Sequence, residues 1–549
     1  PYAQDMHNII STLDSRPLTV GNNESKIRGI ENYMDVVGGN YYPRTWATIS
    51  TSKPVILTET SSASSSRGFY KSLGQSGYEL SAYDTYAPDW GDSAEANLYY
   101  TQAYDRVSGQ FIWTGFDYIG EPTPWNNYNT NNAQGEPISS FFGVIDTAGF
   151  AKDNAYLYKS IWDSGEHTLN LLPGTWNSSK LSSTTAVPVA VYTDAGYIEL
   201  YSNGTLIGHA SAQTVTTSAG HKYKRWTTYS DSSLCTASDF TDSSGAHTAA
   251  QVAMYPQFKV RWSSGSLSVR AWTDSSKTTE LTDSAKGTKI AYSSQTIGSV
   301  KAEVWGTNGS DSFTGTADGK SYAYIEYTAL DTNGNFMNDY NGKLTIEAKN
   351  GIEIVGVDNG KPSDWSRFRE SSVFTADGKA QIQMYNGRAL VIVKTTDTVT
   401  NNGSVVTTSS DGVGVNGINV TAVPETGGEL YDEFEEICPQ TETTYTPSVY
   451  DRFDFVKDAV GNLSDPGGAG GSAVKYIYYN PTGTGSGRYI ENGTYIIYNP
   501  SPVYDSNIPA ALTNQYYSYG KLKSDTAVSL SSTELTSSAD NEYTFTFVS

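Results

Sequence analysis

Cysteine is almost missing from this chain. Cys235 and Cys438 are the only two in 549 residues. They lie in different stretches and share no metal-ligand spacing, so neither a disulfide framework nor a cysteine-built zinc site is expected, and two incidental thiols are the simplest reading. Histidine is scarce too. His7, His167, His209, His221 and His247 show no close pairing, which argues against a zinc cluster and a histidine triad. There is no glycine-rich phosphate loop and no run of about 18 apolar residues able to cross a membrane. Basic residues are outnumbered, 36 Lys and Arg against 58 Asp and Glu, for a net charge of −22. Such a surface repels phosphate backbones and anionic lipid, so neither nucleic-acid partners nor membrane insertion is expected. These patterns require no cofactor and assign no structural or activating metal ion.

Glycine (51) and tyrosine (41) are plentiful while helix-forming charged residues are sparse, which favours β-rich modules joined by polar turns. The length exceeds what one core fills, so several domains are expected. Two segments stand out: Lys53-Pro54-Val55-Ile56-Leu57-Thr58-Glu59-Thr60, and Gly109-Gln110-Phe111-Ile112-Trp113-Thr114-Gly115-Phe116-Asp117-Tyr118. Each is a short apolar strand ending in functional groups. Parallel strands buried on both faces read as continuous apolar runs, and chemistry collects at their C-terminal ends. A carboxylate beside a flat aromatic surface suits a sugar-cleaving pocket. Around them, residues 1–165 alternate helix and strand. Helices are expected over 4–13 (Met6, Ile9, Ile10 and Leu13 on one face), from a cap at Asp92 or Ser93 to about 106, and over 155–162. Strands are expected over 17–20, 34–41, 54–59 and 110–113.

The two segments closely resemble the last two barrel strands of glycoside hydrolase family 2, which includes β-galactosidases and β-glucuronidases. The stretch from Phe111 through Gly120-Glu121-Pro122-Thr123-Pro124-Trp125 resembles the β-galactosidase branch. The resemblance implies that Glu59 is the nucleophile of a retaining glycosidase and that Tyr41, at the end of the preceding strand, donates to it. By its flat apolar face Trp113 is a candidate sugar platform, with core filler as the alternative, and Trp125 in its Pro-flanked loop is a candidate subsite wall. Asp117 and Glu121 either accept from sugar hydroxyls or fix their loop through backbone amides. Asn22 and Arg67 orient pocket groups or clamp loops. The bland alternative for Glu59 and Tyr41 is a solvated strand-end carboxylate beside a packing ring.

A retaining enzyme needs a second carboxyl group about 5–5.5 Å away. The resemblance places this acid/base shortly before residue 1. Asn23-Glu24 imitates the expected dipeptide but follows the wrong strand. Four βα units make half of a (β/α)8 barrel, which leaves open edges. The expected fold is therefore a multidomain α/β plus all-β chain. The C-terminal half of a TIM barrel fills 1–165. Immunoglobulin-like β-sandwiches fill 166–296 and 297–424, with 216–248 an inserted polar loop. An acidic linker over 425–450 leads to a Tyr-rich β domain over 451–549, in which a Tyr-Ile-Tyr-Tyr-Asn-Pro tract recurs. Asp331-Thr332-Asn333-Gly334-Asn335 imitates a calcium loop, but Phe336 replaces the needed glycine and a β-turn is expected.

The chain begins at Pro1 and shows neither a signal peptide nor a wall-sorting tail, so it reads as an internal piece of a longer precursor. An N-terminal portion of that precursor is the expected partner completing the barrel, and the isolated chain is expected not to turn over substrate. The expected substrate is a β-galactoside oligosaccharide or glycoconjugate. The expected location is extracellular or on a bacterial cell surface. The rival readings are another family 2 exo-glycosidase such as β-glucuronidase, and a non-catalytic carbohydrate-binding surface protein.

Overall fold

The computed structural model describes residues 2–424, apart from 25, 27, 28, 126–135, 238–252, 282–288 and 367–372, together with the backbone of five strands between 476 and 548. It divides into two units, residues 1–422 and 423–549. No helix among the described residues is long and apolar enough to cross a membrane.

The first unit opens with an α/β segment. Helix α1 (Tyr2–Leu13) and a 3-10 turn (Ile30–Tyr33) precede β1 (Val37–Asn40), α2 (Pro43–Thr48) and β2 (Val55–Ser61). A small hairpin of β3 (Gln75–Ser76) and β4 (Glu79–Leu80), then α3 (Ala94–Ala103), β5 (Val107–Trp113) and α4 (Asp153–Trp162), complete the segment. Strands β1, β2 and β5 pair in parallel, in that order. Strand β1 reads Val-Gly-Gly-Asn because bulk is excluded there. A Cβ on Gly39 would lie 2.3 Å from the Trp46 indole of α2, and one on Gly38 would lie 2.2 Å from the Val20 carbonyl. Ser93 caps α3 through the Ala96 N–H, while Asp84 takes the N–H groups of Ala94 and Glu95. Three of the four orphan donors at that helix end are thereby satisfied.

The sequence-based outline of this segment needs three corrections. No regular strand covers 17–20. Pro17 has no N–H, and the Leu18 carbonyl accepts from both Asp35 and Val36, which breaks the even spacing of a parallel ladder. Asn22 alone bridges to β1, at Gly39, so the sheet has three strands rather than four. The strand expected over 34–41 shortens to β1, because Lys53 Nζ gathers the carbonyls of Glu31, Asn32 and Met34 into the preceding turn. Helix α3 stops at Ala103, short of 106. Among the described residues no strand lies along the outer edge of β5. Phe111 on β5 is 61% exposed, and α1 buries none of its residues.

The next strands are β6 (Leu169–Leu172), β7 (Val187–Thr193), β8 (Tyr197–Ser202), β9 (Thr205–Thr216) and β10 (Lys222–Ser230). They continue through β11 (Cys235–Ala237), β12 (Gln257–Val260), β13 (Ser266–Trp272), β14 (Glu280–Leu281) and β15 (Ile290–Tyr292). They form two antiparallel sheets, β10-β9-β8-β13-β14 with β15 beside β13, and β11-β12-β7-β6. Val191, Leu200, Phe258 and Val269 share one core with Leu98 of α3 and Leu157 of α4, so the α/β segment rests on this sandwich. The expected polar loop over 216–248 instead holds β10 and β11. Its Thr, Tyr and Trp residues suit a half-exposed strand, and β10 pairs along nine positions of β9 with Trp226 turned inward. Residues 238–248 of that stretch lie outside the described residues.

A second sandwich follows: β16 (Ile297–Val304), β17 (Ser312–Thr316), β18 (Tyr322–Asp331), β19 (Lys343–Lys349) and β20 (Ile352–Asp358), then β21 (Ala380–Gln383), β22 (Arg388–Thr395), β23 (Thr400–Ser409), β24 (Gly414–Val415) and β25 (Ile418–Val423). Its sheets run β20-β22-β18-β16-β24 and β17-β25-β23-β19-β21, around Ile325, Leu344, Ile346 and Val391. The Asp331 loop is a turn that satisfies itself, Asp331 Oδ1 accepting from the N–H groups of Asn333 and Asn335. Arg67 joins this sandwich to the α/β segment. Its Nε donates to Asp146 Oδ2 at 2.6 Å, and its terminal nitrogens donate to the carbonyls of Asn386 and Asn359.

In the second unit β26 (Tyr476–Asn480), β27 (Gly493–Tyr498), β28 (Ser529–Leu530), β29 (Thr536–Ser537) and β30 (Glu542–Val548) form one antiparallel sheet. The recurring tracts are neighbours in it, with Tyr479 opposite Tyr495. The linker expected over 425–450 lies outside the described residues.

Two stability effects follow. Gly39→Ala forces Trp46 off β1 and should cost about 1–3 kcal/mol in denaturant unfolding of the full chain. Burial raises the Asp153 and Asp358 carboxyls to about 6, and neither has an ion-pair partner among the described residues. Their contribution is complete below the unfolded value near 4 and is lost as pH rises through about 6. The melting temperature should therefore fall between pH 4.5 and 8, and Asp153→Asn should flatten that slope.

Candidate active site

Polar and aromatic side chains gather at the C-terminal ends of the three parallel strands. Strand β2 carries one residue too many for its neighbour: Gly39 pairs with Leu57, but Asn40 pairs with Glu59. On the other side Leu57 pairs with Gln110, and Thr60 with Ile112. A bulge of this kind bends a strand and re-aims the residue beside it. Here Thr58 Oγ1 donates to Asn40 Oδ1 at 2.6 Å, and Glu59 turns to Tyr41. The Tyr41 hydroxyl donates to Glu59 Oε2 at 2.8 Å, and its backbone N–H donates to the Glu59 carbonyl at 2.6 Å.

The backbone is strained around this pair. Tyr41, Tyr42, Ser61, Ser62 and Glu121 all have positive φ, between 45° and 69°, and none is an Asn or Gly that adopts it readily. Such residues cost roughly 1–3 kcal/mol each and collect at functional sites. Burial pushes the Tyr41 hydroxyl well above its ordinary pKa, the bond to Glu59 pushes it further, and the charges of Glu59 and Glu121 add to both. Tyr41 therefore stays a protonated donor, and Glu121 lies within electrostatic reach of it.

Trp113 is half-buried at the end of β5, level with Ser61 of β2. The Tyr118 ring meets it edge-on, at 6.2 Å between centroids, and the Tyr118 hydroxyl donates to the Glu121 carboxylate. Trp125 stands apart from that group, against Tyr78 at 5.9 Å and Phe141 at 5.1 Å. Asp117 faces the interior. Its side chain is 1% exposed, Oδ2 lies 2.5 Å from Lys152 Nζ, and Oδ1 accepts from the Gly143 N–H. Burial drives this carboxyl up to about 7 against the pull of Lys152. Lys152 also donates to the Ser65 and Phe141 carbonyls, so the pair ties the loop after β2 to the loop after β5. Among the described residues no group of three or more His, Cys, Asp and Glu converges as a metal site.

Sequence reasoning named Glu59 and Tyr41, which the structure joins by a hydrogen bond, and Trp113 and Glu121, which it sets around Tyr118. It missed Tyr118 and Lys152. Tyr118 had a local signal, an acidic residue three positions on across a Gly-Glu-Pro turn. Lys152 had none, because both of its loops are distant in sequence.

Residues 310–419, within the second sandwich, match the family model of glycoside hydrolase family 2 C-terminal domain 5. A β-galactosidase of Bacteroides ovatus is 29% identical over 394 residues, which covers 68% of this chain and 39% of that protein. The chain thus spans about two fifths of the length of that curated relative. The crystal structure of a β-glycosidase from Bacteroides vulgatus aligns with a TM-score of 0.53 at 18% identity, covering 76% of this chain and 48% of that one. A glycosyl hydrolase family 2 member from Bacteroides cellulosilyticus aligns at 0.51 and 16% identity, covering 77% and 47%. At those identities the likeness is one of fold.

The buried ion pair makes a clear prediction. Lys152→Met strands the Asp117 charge and should destabilise the full chain by about 3–5 kcal/mol, while Asp117→Asn in the same molecule should recover part of that loss, read by urea unfolding.

Proposed function

The chain belongs to glycoside hydrolase family 2, and from that premise we propose that it carries the nucleophile side of a retaining exo-β-galactosidase. The observation that carries this reading is the Tyr41–Glu59 hydrogen bond at the joint end of two parallel strands. Glu59 attacks the anomeric carbon of a terminal galactose as the aglycone leaves, forming a covalent glycosyl ester with inversion. Water then displaces the ester with a second inversion, so configuration is retained overall. The Tyr41 hydroxyl donates to the carboxylate, steadies its charged form before attack, and supports its departure afterwards. The apolar C–H face of the sugar packs on Trp113, Glu121 accepts from a sugar hydroxyl, and Trp125 walls the pocket further out. Asp117 acts through the loop it holds with Lys152.

The acid/base carboxyl and the missing strands belong, in this reading, to the N-terminal portion of the same precursor. Its four βα units close a (β/α)8 barrel against β5 and against the irregular 17–22 segment, which stands in the place of a fourth strand beside β1. The exposed Phe111 and Phe116, and an edge of β5 that no strand among the described residues covers, support that assignment. Residues 1–165 on their own then lack half of the catalytic pair, and the isolated chain does not hydrolyse galactosides. The activity named for the Bacteroides ovatus relative supports β-galactosides, in oligosaccharides or glycoconjugates, as the substrate. The acidic, cysteine-poor composition supports an extracellular or bacterial cell-surface location.

In the intact polypeptide, Glu59→Gln should lower kcat by about 10⁴-fold or more while the melting curve is unchanged. Tyr41→Phe should lower kcat about 10²–10³-fold. A 2-deoxy-2-fluoro-galactoside inactivator should label the peptide containing Glu59, and label on any other residue overturns the assignment.

A further inference from the structure

We propose that a groove on the second sandwich is a sugar-binding subsite for the leaving-group side of the substrate, taking a pyranose unit with vicinal hydroxyls. The proposal rests on the hydrolase reading above and extends it. The groove has a volume of about 670 Å³ and opens between the turn over 359–366 and the strand ends at Asn341 and Gln383. Its floor is buried Asn359, Met384 and Tyr385. Trp365, Lys361 and Asp364 form one wall and remain partly exposed.

The wall is rigid. Trp365 Nε1 donates to the Glu136 carbonyl at 2.6 Å, which fixes the indole. Asn359 Nδ2 donates to Asp364 Oδ2 at 2.6 Å and to the Gln383 carbonyl at 2.9 Å, which fixes the turn. Against this frame stands unspent capacity. The Lys361 ammonium forms no side-chain hydrogen bond or ion pair among the described residues, although its charge reaches the buried Glu79 carboxylate. Gln383 uses its Nε2 on the Asn341 carbonyl, and its Oε1 accepts from no group among the described residues. A fixed indole beside an ammonium and an amide oxygen matches a sugar, whose ring face is apolar and whose hydroxyls both donate and accept.

Position decides which part of the substrate it would read. Gly120, next to Glu121, donates its N–H to the Ile138 carbonyl at 2.7 Å, and Ile138 donates to the Pro362 carbonyl at 2.8 Å. Two such backbone steps of roughly 4.8 Å each put the turn on the order of 10 Å from the Glu121 loop. Arg67 holds the other side through the Asn359 carbonyl, and Gly360 packs against Asp146 so closely that a Cβ would fall 2.0 Å from its carboxylate. The groove is thus fixed relative to the loop that carries Glu121, at a separation of about two sugar units.

The test compares two substrates in the intact polypeptide, p-nitrophenyl β-galactoside and a β-galactosyl-terminated tetrasaccharide. Trp365→Ala should lower kcat/KM on the tetrasaccharide about tenfold and leave the aryl galactoside within about twofold. Lys361→Ala, which breaks no side-chain hydrogen bond or ion pair among the described residues and withdraws only a charge felt by Glu79, should lower the tetrasaccharide value a few-fold with little change in the melting curve. Equal losses on both substrates, or no loss from either variant, overturn the proposal. If the wild type cleaves neither substrate, it is the hydrolase reading that fails. Titration calorimetry then decides the groove: heat of tetrasaccharide binding that Lys361→Ala abolishes supports it, and absence of binding heat overturns it.

Discussion

Arg67 is the joint on which the arrangement of the first unit turns. One guanidinium meets the Asp146 carboxylate and the carbonyls of Asn359 and Asn386, which belong to the loop after β5 and to two turns of the second sandwich. Its planar group also lies 5.0 Å from the Phe150 ring centroid and 5.1 Å from that of Tyr385. A lysine offers one point charge on a flexible stem and serves neither the fork of donors nor the stacking. Both charges are almost wholly buried, so removing either partner would leave the other uncompensated. The sandwich is therefore seated on the loop that carries Glu121 by a contact that tolerates little substitution.

A second contrast runs through the α/β segment. Its interior is made of ordinary apolar packing, Val37, Trp46, Val55, Leu57 and Val107, and the one indole N–H among them, that of Trp46, donates to the Asn40 carbonyl. Its strand ends are the opposite: a bulge, five left-handed residues, a buried tyrosine hydroxyl and an acid held to it. Strain of this kind persists because the packed body beneath over-determines the backbone. The same logic explains Lys152 and Asp117. A buried pair contributes little net stability, yet it fixes where two long loops cross, and those loops carry the groups that surround Glu59.

The outline was legible where local pattern decides structure. The apolar runs of β2 and β5, the Ser93 cap and the alternating strands of the sandwiches need only neighbours in sequence. Glu59 and Tyr41 were named through a family resemblance, and no periodicity would have singled them out. The bulge that turns Glu59 was invisible, because register is a property of two partners and not of one strand. Strand β1 was overdrawn because Lys53, far along the chain, draws the carbonyls before it into a turn. Strand β10 was hidden by its polarity, since a hairpin with a wet face looks like a loop until its partner is known. Asp117 had the same ambiguity: the motif supplies a carboxylate, and only the distant Lys152 determines which way it faces.

Helix α1 has a twelve-residue span and an apolar stripe of Met6, Ile9, Ile10 and Leu13 with no side chain buried. Peptide helices of that length are marginal in water without a surface to lie on. Its coil-to-helix equilibrium is therefore thermodynamically linked to whatever shields that stripe. Residues 2–13 act as a built-in gauge, whose amide-exchange protection would rise in step with occupancy of that surface.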